Sequence, residues 1–257
     1  MLNDFPSKHG PDRENLILDI VDNQQDRLSY DWHPLTVEQD GHTATFYVMD
    51  DALKIDGVRV NVTADTEQRI ADRWGAMLLT AKLSDLIWHH AEVRLEPCPR
   101  KITSSTKGMI EHSLDVDDQL NHDPEGKLIS TVGKNWIIDE KLANKKGMAC
   151  NHGWHFKGNS FQGIKGNVNP SLLKNPDTKT YWRLIQSLGT AHDFNNHTDY
   201  SQICRLVTRE CIVDEETRDL VEILKDPELA KLASHTGPLS VFRQPGVPEP
   251  NTVFVLI

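Results

Sequence analysis

Residues 43–62 carry the strongest local folding signal in the chain. Residues 43–49 form an apolar run, Asp56-Gly57 is a dipeptide typical of tight hairpins, and residues 58–62 alternate valine with polar side chains. An alternation with period two places one face of a strand on a core and the other toward solvent, as in antiparallel sheets. Segment 40–62 is therefore predicted to form a small antiparallel meander.

Two helical segments follow the predicted meander. Thr63 or Asp65 can cap a helix over residues 66–78, and Thr80 is placed to cap a second helix. Apolar residues recur at helical spacing in both segments: Ile70, Ala71, Trp74, Leu83, Leu86 and Ile87. Residues 65–92 are therefore predicted to form an αα-hairpin.

Further strand-like segments indicate the fold class. Residues 128–138 are predicted to form a second hairpin, and residues 147–156 and 205–213 are predicted strands. We expect an α+β fold with a mixed, mainly antiparallel sheet and an inserted αα-hairpin. Residues 1–257 are predicted to form one domain, in which 40–62 and 65–92 make up a subdomain and 127–244 hold the site.

Composition excludes several classes of partner. The formal charge of −10 argues against broad contact with nucleic acid or anionic lipid, which requires clustered Lys and Arg. No apolar run reaches the roughly 18 residues of a membrane span. The N-terminus lacks the apolar core of a signal peptide, so we expect a protein that is cytoplasmic as synthesised, with lysis or association with a virion as routes of release. The four cysteines show no CxxC spacing and are expected to be free thiols.

Two polar clusters are the candidate site. Eleven residues, His192 to Gln202, contain two histidines, two aspartates, two asparagines, a tyrosine and a glutamine. A second cluster, Cys150-Asn151-His152-Gly153-Trp154-His155-Phe156, lies about forty residues upstream. No known chemistry closes within either cluster alone. We therefore expect a site only if the two segments pack against each other.

A zinc site is the first hypothesis for these clusters. Zinc binds neutral imidazoles and carboxylates, and a catalytic zinc keeps one position open for water. His155, His192 and Asp199 are the predicted metal ligands, and Zn²⁺ is the predicted cofactor. In a catalytic reading His155 and Asp199 take part in the reaction, Asp199 as ligand or general base. Tyr200 and Arg205 would stabilise developing negative charge, and the substrate would contact Trp154, Asn196 and Gln202.

The seven-residue separation of His192 and Asp199 resembles that of two ligands in zinc peptidases that cleave D-Ala-D-Ala or related peptidoglycan cross-links. The motif of that family is S-x-H-x-x-G-x-A-x-D, followed later by E-x-W-H. Here Asn195 and His197 replace the glycine and alanine, and the Trp154-His155 pair precedes the His–Asp pair. No acidic residue stands where the general base of the family is expected. The resemblance implies a zinc-dependent hydrolase with a permuted order of ligands.

A second resemblance covers about three quarters of the chain. Gly153-Trp154-His155, the phrase from His197 to Gln202 and the following Arg205-Leu206-Val207 resemble a group of bacterial and phage proteins. This resemblance implies a bacterial or phage context and no particular reaction. Together the two resemblances lead us to expect a hydrolase that acts on bacterial envelope material, with a cell-wall glycan or peptide as substrate.

Three alternatives remain open at this point. Asp193 and Asp199 could form a metal-free acid/base pair that acts on a sugar. Cys150, five residues before His155, could be a nucleophile, although a buried inert thiol is the more common case. The whole polar cluster could instead be a hydrogen-bond network in a non-catalytic binding protein or a virion-associated structural protein.

Overall fold

The computed structural model describes residues 2–100, 104–120, 124–157, 171–174 and 181–250. Its helices and strands, in chain order, are α1 (Pro11–Asn23), β1 (Leu28–Ser29), β2 (Trp32–Gln39), β3 (His42–Met49), β4 (Lys54–Ile55), β5 (Val58–Arg59), α2 (Ala64–Arg73), β6 (Ala76–Thr80), α3 (Ala81–His90), β7 (Val93–Arg94), α4 (Thr106–Asp117), β8 (Ile129–Ser130), β9 (Lys134–Ile138), β10 (Met148–His155), β11 (Ser171–Lys174), β12 (Tyr181–Asp193), β13 (Gln202–Ile203), β14 (Leu206–Val213), β15 (Glu216–Asp219) and α5 (Leu220–Lys225). Short 3-10 helices occupy Gln25–Arg27, Glu140–Leu142 and Leu229–Leu232.

One large sheet organises the fold. Its strand order is β11-β12-β10-β9-β6-β14-β3-β2, with β13 beside β9 and β15 beside β14. The pairs β6–β9 and β9–β13 are parallel, and the remaining pairs of this sheet are antiparallel. The predicted α+β class with a mixed, mainly antiparallel sheet is therefore confirmed. Two small sheets, β1-β4-β5 and β7-β8, lie outside it.

The hairpin signals of the predicted meander are correct, but its strands belong to two sheets. Asp56 and Gly57 have φ values of 48° and 79°, as the tight turn between β4 and β5 requires. Strand β3, however, pairs with β2 in the large sheet, whereas β4 pairs with β1. The predicted second hairpin at 128–138 is likewise divided, because β8 pairs with β7 and β9 pairs with β10.

The two predicted helices are present, and a strand separates them. The hydroxyl of Thr63 caps α2 and that of Thr80 caps α3, as expected. Gly75, with φ 60°, follows the end of α2 and turns the chain into β6. Every residue of β6 is buried between β9 and β14. A short, mainly apolar segment is compatible with a buried helix and with a central strand, and in this structure it forms a strand of the large sheet.

Helix α4 is held against the small sheet by a buried arginine. The Arg59 guanidinium donates to Asp51 at 2.7–3.1 Å and to Asp117 of α4 at 2.5 Å. Burial opposes ionisation of Asp51, but the charge of Arg59 holds the pKa of that carboxyl at about 2. In the part of the chain that the structure describes, no helix is long and apolar enough to cross a membrane.

Candidate metal centre

The densest group of titratable side chains surrounds Asp85, in the middle of α3. The Nε2 atoms of His152 and His155 lie 2.7 and 2.6 Å from its Oδ1, and the Nε2 atom of His235 lies 2.7 Å from its Oδ2. The side chains of Asp85 and His152 are completely buried, that of His155 is 3% exposed, and that of His235 is 18% exposed. Three imidazoles therefore converge on one buried carboxylate.

A bulge in β10 places His152 and His155 on the same side of the strand. Residues three apart in a regular strand point to opposite faces. Here Gly153 and Trp154 have left-handed φ values of 109° and 62°, and the register against β12 is irregular between Asn151 and Gly153. Such a conformation costs a non-glycine residue about 1–3 kcal/mol, and it is characteristic of functional sites. The strain at Trp154 turns both imidazoles toward α3.

Gly153 also allows α3 to approach the strand closely. A Cβ atom at this position would lie 2.9 Å from Ser84 Oγ and 3.3 Å from Asn135 Nδ2. Those two atoms are hydrogen-bonded to each other at 2.9 Å, which connects α3 to β9. The glycine is therefore required both by its backbone conformation and by the space that α3 occupies.

The electrostatics of the group favour an ionised carboxylate at Asp85, and burial favours the neutral form of His155. Burial opposes ionisation of Asp85, but the bonds from His152, His155 and His235 hold the pKa of its carboxyl well below the usual range. Burial lowers the pKa of His155, although Asp85 acts in the opposite direction. An ionised carboxyl and neutral imidazoles are the protonation states that a divalent metal needs.

Asp85, His152 and His155 offer ligand atoms that lie within 4.8 Å of one another, close enough to hold one metal ion. Tetrahedral zinc with bonds near 2.1 Å separates neighbouring ligand atoms by about 3.3 Å. The present contacts of 2.6 and 2.7 Å are hydrogen bonds, so the imidazoles would have to withdraw from Asp85 by roughly 0.6 Å to admit zinc. Small side-chain rotations suffice for such a shift. The residues present therefore fit a divalent metal.

The hydrogen-bonded arrangement leaves two polar atoms unsatisfied. An ionised carboxylate only accepts, so each Nε2 carries its proton when it faces Asp85 directly. The Nδ1 atoms of His152 and His235 are then buried, with no hydrogen-bond partner among the described residues. Each such atom costs about 1–3 kcal/mol.

A cavity adjoins the centre on the side of His235. This residue follows the 3-10 helix Leu229–Leu232 and, with His152, lines a cavity of about 310 Å³. His235 is the most accessible of the three imidazoles, so the cavity offers a route from solvent to the centre. A ligand in the cavity would meet the accessible imidazole of His235, whereas the His152 side chain is completely buried.

The structure assembles a different ligand set from the predicted one. Of the predicted ligands His155, His192 and Asp199, only His155 belongs to the group that can hold a metal in the described part of the chain. His192 instead stacks on His197, with ring centroids 4.0 Å apart and an interplanar angle of 12°. Burial, together with the neighbouring His197, lowers the pKa of His192 to about 4, so this ring is neutral near pH 7. The predicted set of three ligands therefore stays a prediction, and the group that the described residues do bring together is Asp85, His152 and His155.

Asp199 holds a turn together rather than a metal. Its carboxylate accepts 2.7 Å bonds from Lys134 Nζ and from the Ser201 hydroxyl, and a 2.8 Å bond from the Ser201 amide. Burial opposes its ionisation, but Lys134 lowers the pKa of the carboxyl. The Asp199 amide donates to Gln202 Oε1 at 2.6 Å. Gln202, predicted to bind substrate, is therefore buried inside this turn.

The other predicted site residues lie outside the Asp85 group. Tyr200 OH accepts from the Arg100 amide at 2.6 Å and donates to the Arg100 carbonyl. The buried guanidinium of Arg205 donates to the carbonyls of Met49 and Asp50. Asn196 is exposed and reaches Asp193 at 3.4 Å. The contacts of Tyr200 and Arg205 join segments that lie far apart in the sequence, whereas that of Asn196 is local.

The expected packing between the two clusters is present. The Trp154 ring meets Tyr200 edge to face with centroids 6.1 Å apart, and both rings contact His112. Trp154 thus points toward the turn formed by Asp199, whereas its neighbour His155 points toward Asp85. The contact encloses an aromatic cluster instead of a set of metal ligands.

The cysteines agree with the interpretation that they are unreactive thiols. All four are free thiols, as expected. Burial raises the pKa of Cys150 to about 12, so its thiolate is scarce at neutral pH.

Comparisons with protein-family models, with curated proteins and with solved structures found no match to this chain.

Proposed function

We propose that this protein is a metal-dependent hydrolase whose centre is Asp85, His152 and His155, with zinc as the metal. The observation that carries the proposal is the convergence of buried imidazoles on one buried carboxylate through a strained bulge, next to a cavity. Two histidines and a carboxylate, with one position left open, form a ligand set found in catalytic zinc sites.

The neighbouring side chains prepare this ligand set. The Trp88 ring stacks on His155 with centroids 5.4 Å apart, which fixes the plane of that imidazole. His235 holds the second oxygen of Asp85 and orients the carboxylate. Zinc, when bound, would polarise a carbonyl oxygen and acidify a water molecule. The protein supplies a rigid, largely dry environment in which those effects are strong.

Bacterial envelope material, in particular peptidoglycan, is the substrate class that we propose. Its support is the sequence resemblance to zinc peptidases of the cell wall, of whose matching residues His155 alone belongs to the Asp85 group. The competing proposal is a non-catalytic binding or virion-associated protein in which the Asp85 group is a hydrogen-bond network. Metal content separates the two.

The first test is the metal content of protein purified without chelator and supplied with zinc. We expect about one zinc per chain in the wild type and less than a tenth of an equivalent in Asp85→Asn and His152→Gln, because both variants lose a ligand. Asp214→Asn changes an exposed carboxylate that pairs with His42 and should retain zinc. Less than a tenth of an equivalent in the wild type would contradict a zinc centre.

The second test is hydrolysis of purified bacterial cell walls, followed as loss of turbidity. We expect activity in the zinc-loaded wild type and in Asp214→Asn, and none in Asp85→Asn. Full zinc occupancy with no cell-wall activity in the wild type would contradict the substrate class and leave the metal centre intact.

A further inference from the structure

We propose that the cavity beside His152 and His235 is the specificity pocket of this centre, and that it takes a short aliphatic acyl group such as an aliphatic residue of a peptide. The inference rests on the proposed function and narrows its substrate from envelope material in general to the peptide part. Its basis is the lining of the cavity and the place of the cavity next to the ligands.

Part of the cavity wall is apolar, beside the hydroxyl-bearing residues Thr80, Ser234 and Thr236. Ala81 at the start of α3, Ile138 at the end of β9, Leu188 of β12 and Leu239 line the cavity. They come from four separate parts of the chain, all joined to the main core. A volume of about 310 Å³ lies at the small end of ligand sites, which suits a short chain rather than an extended polymer.

The charged residues at the cavity are already engaged. Lys82 Nζ donates to Gln39 Oε1 and to the Lys231 carbonyl. Asp139 Oδ1 accepts from the Lys141 amide at 2.9 Å and caps the 3-10 helix Glu140–Leu142. An anionic group would meet no free cation among the described lining residues. The cavity therefore selects an uncharged occupant.

A sugar ring suits this lining poorly. Sugar rings stack on the broad faces of Trp and Tyr and require several hydrogen bonds. Among the described residues that line the cavity there is no Trp, Tyr or Phe. An alkyl group needs neither feature and gains about 0.8 kcal/mol per buried methylene, or about fourfold in affinity.

The position of the two imidazoles orients the occupant. His152 and His235 line the cavity and also contact Asp85 through Nε2. An acyl chain in the cavity would thus bring its carbonyl end to the metal ligands. The scissile bond would lie at the end of the cavity next to the Asp85 group, and the side chain would lie along the apolar part of the wall.

The test uses straight-chain alkyl hydroxamates, from acetohydroxamate to octanohydroxamate, titrated calorimetrically into the zinc-loaded protein. The hydroxamate head chelates metal, and the tail probes the cavity. In the wild type we expect affinity to rise about fourfold per methylene until the chain fills the cavity. The same affinity for all chain lengths would overturn the pocket, whereas no binding of any hydroxamate would overturn the metal centre and the pocket together.

Variants locate the effect in the cavity. Ala81→Leu fills it and should abolish the gain with chain length, measured as the ratio of hexano- to acetohydroxamate affinity. Leu239→Ala enlarges it and should extend the rising part of the series by roughly two methylenes. Leu229→Ala removes the same side chain from the neighbouring 3-10 helix, outside the cavity lining, and should match the wild type. A chain-length dependence that is the same as in the wild type in both Ala81→Leu and Leu239→Ala would overturn the assignment.

Discussion

The substitution Gly153→Ala tests whether the bulge of β10 builds the metal centre. The new methyl group would require a non-glycine residue at φ 109°, which costs about 1–2 kcal/mol. It would also lie 2.9 Å from Ser84 Oγ and 3.3 Å from Asn135 Nδ2, and so break the hydrogen bond between them. Such a bond contributes about 1 kcal/mol. The expected loss in the free energy of unfolding is therefore about 2–3 kcal/mol.

A matched glycine separates the two contributions. Gly41, in the turn between β2 and β3, has φ 86°, and no atom lies within 4 Å of the position that a Cβ would occupy there. Gly41→Ala should therefore lose only the conformational part, about 1–2 kcal/mol. Urea unfolding with unchanged m values measures both losses. Because displacement of α3 moves Asp85 away from His152 and His155, Gly153→Ala should also weaken zinc binding at least about tenfold.

Zinc binding is measured by competition with a chromophoric chelator. Gly41→Ala should bind zinc as tightly as the wild type, since a Cβ at this position meets no atom within 4 Å and so displaces no neighbouring group. If both variants lost the same stability and Gly153→Ala retained wild-type zinc affinity, the bulge would not be what positions the ligands.

Three further predictions concern other parts of the structure. Burial lowers the pKa of His112 to about 4, so between about pH 6.5 and pH 4 the unfolded chain binds a proton that the folded chain does not. The stability of the wild type relative to His112→Gln should therefore fall by about 2 kcal/mol from pH 7 to pH 5. An unchanged difference in urea unfolding would contradict this. Asp199→Ala should lower the free energy of unfolding by about 3 kcal/mol, because it leaves the Lys134 ammonium buried without its partner. The zinc stoichiometry of this variant should stay at one. Loss of zinc would show that Asp199 is a metal ligand. Removal of zinc by chelator should lower the melting temperature of the wild type and leave that of Asp85→Asn unchanged, since a ligand that binds only the native state stabilises it.

Local sequence signals predicted the parts of the fold that are decided locally. Thr63 and Thr80 cap their helices as expected, and Asp56-Gly57 makes its turn, because capping and turn geometry depend on a few adjacent residues. The strand β6 was misassigned to a helix. Its apolar residues carry no period, and only the partners β9 and β14 decide its conformation.

The candidate site was predicted in part for the same reason. His155 and Gly153-Trp154 stand out by their rarity, and His152 lies three residues away in the same cluster. Asp85 gave no signal, because an aspartate in a helix is ordinarily solvated and its complete burial results from tertiary packing. Polar residues are dense from His192 to Gln202 because this turn supplies hydrogen bonds to the buried Asp199 carboxylate. In the sequence, such a turn has the same pattern as a reactive site.

The distances along the chain between the members of the centre have a kinetic consequence. Asp85 is 67 residues from His152 and 150 from His235, so their contacts close long loops. Contacts of this separation form after the sheet has brought β10 beside β9 and α3, which makes the centre a late product of folding. Zinc that binds only the completed centre would therefore slow unfolding more than it speeds folding. Occupancy of the centre would then set how long the folded chain resists proteolysis.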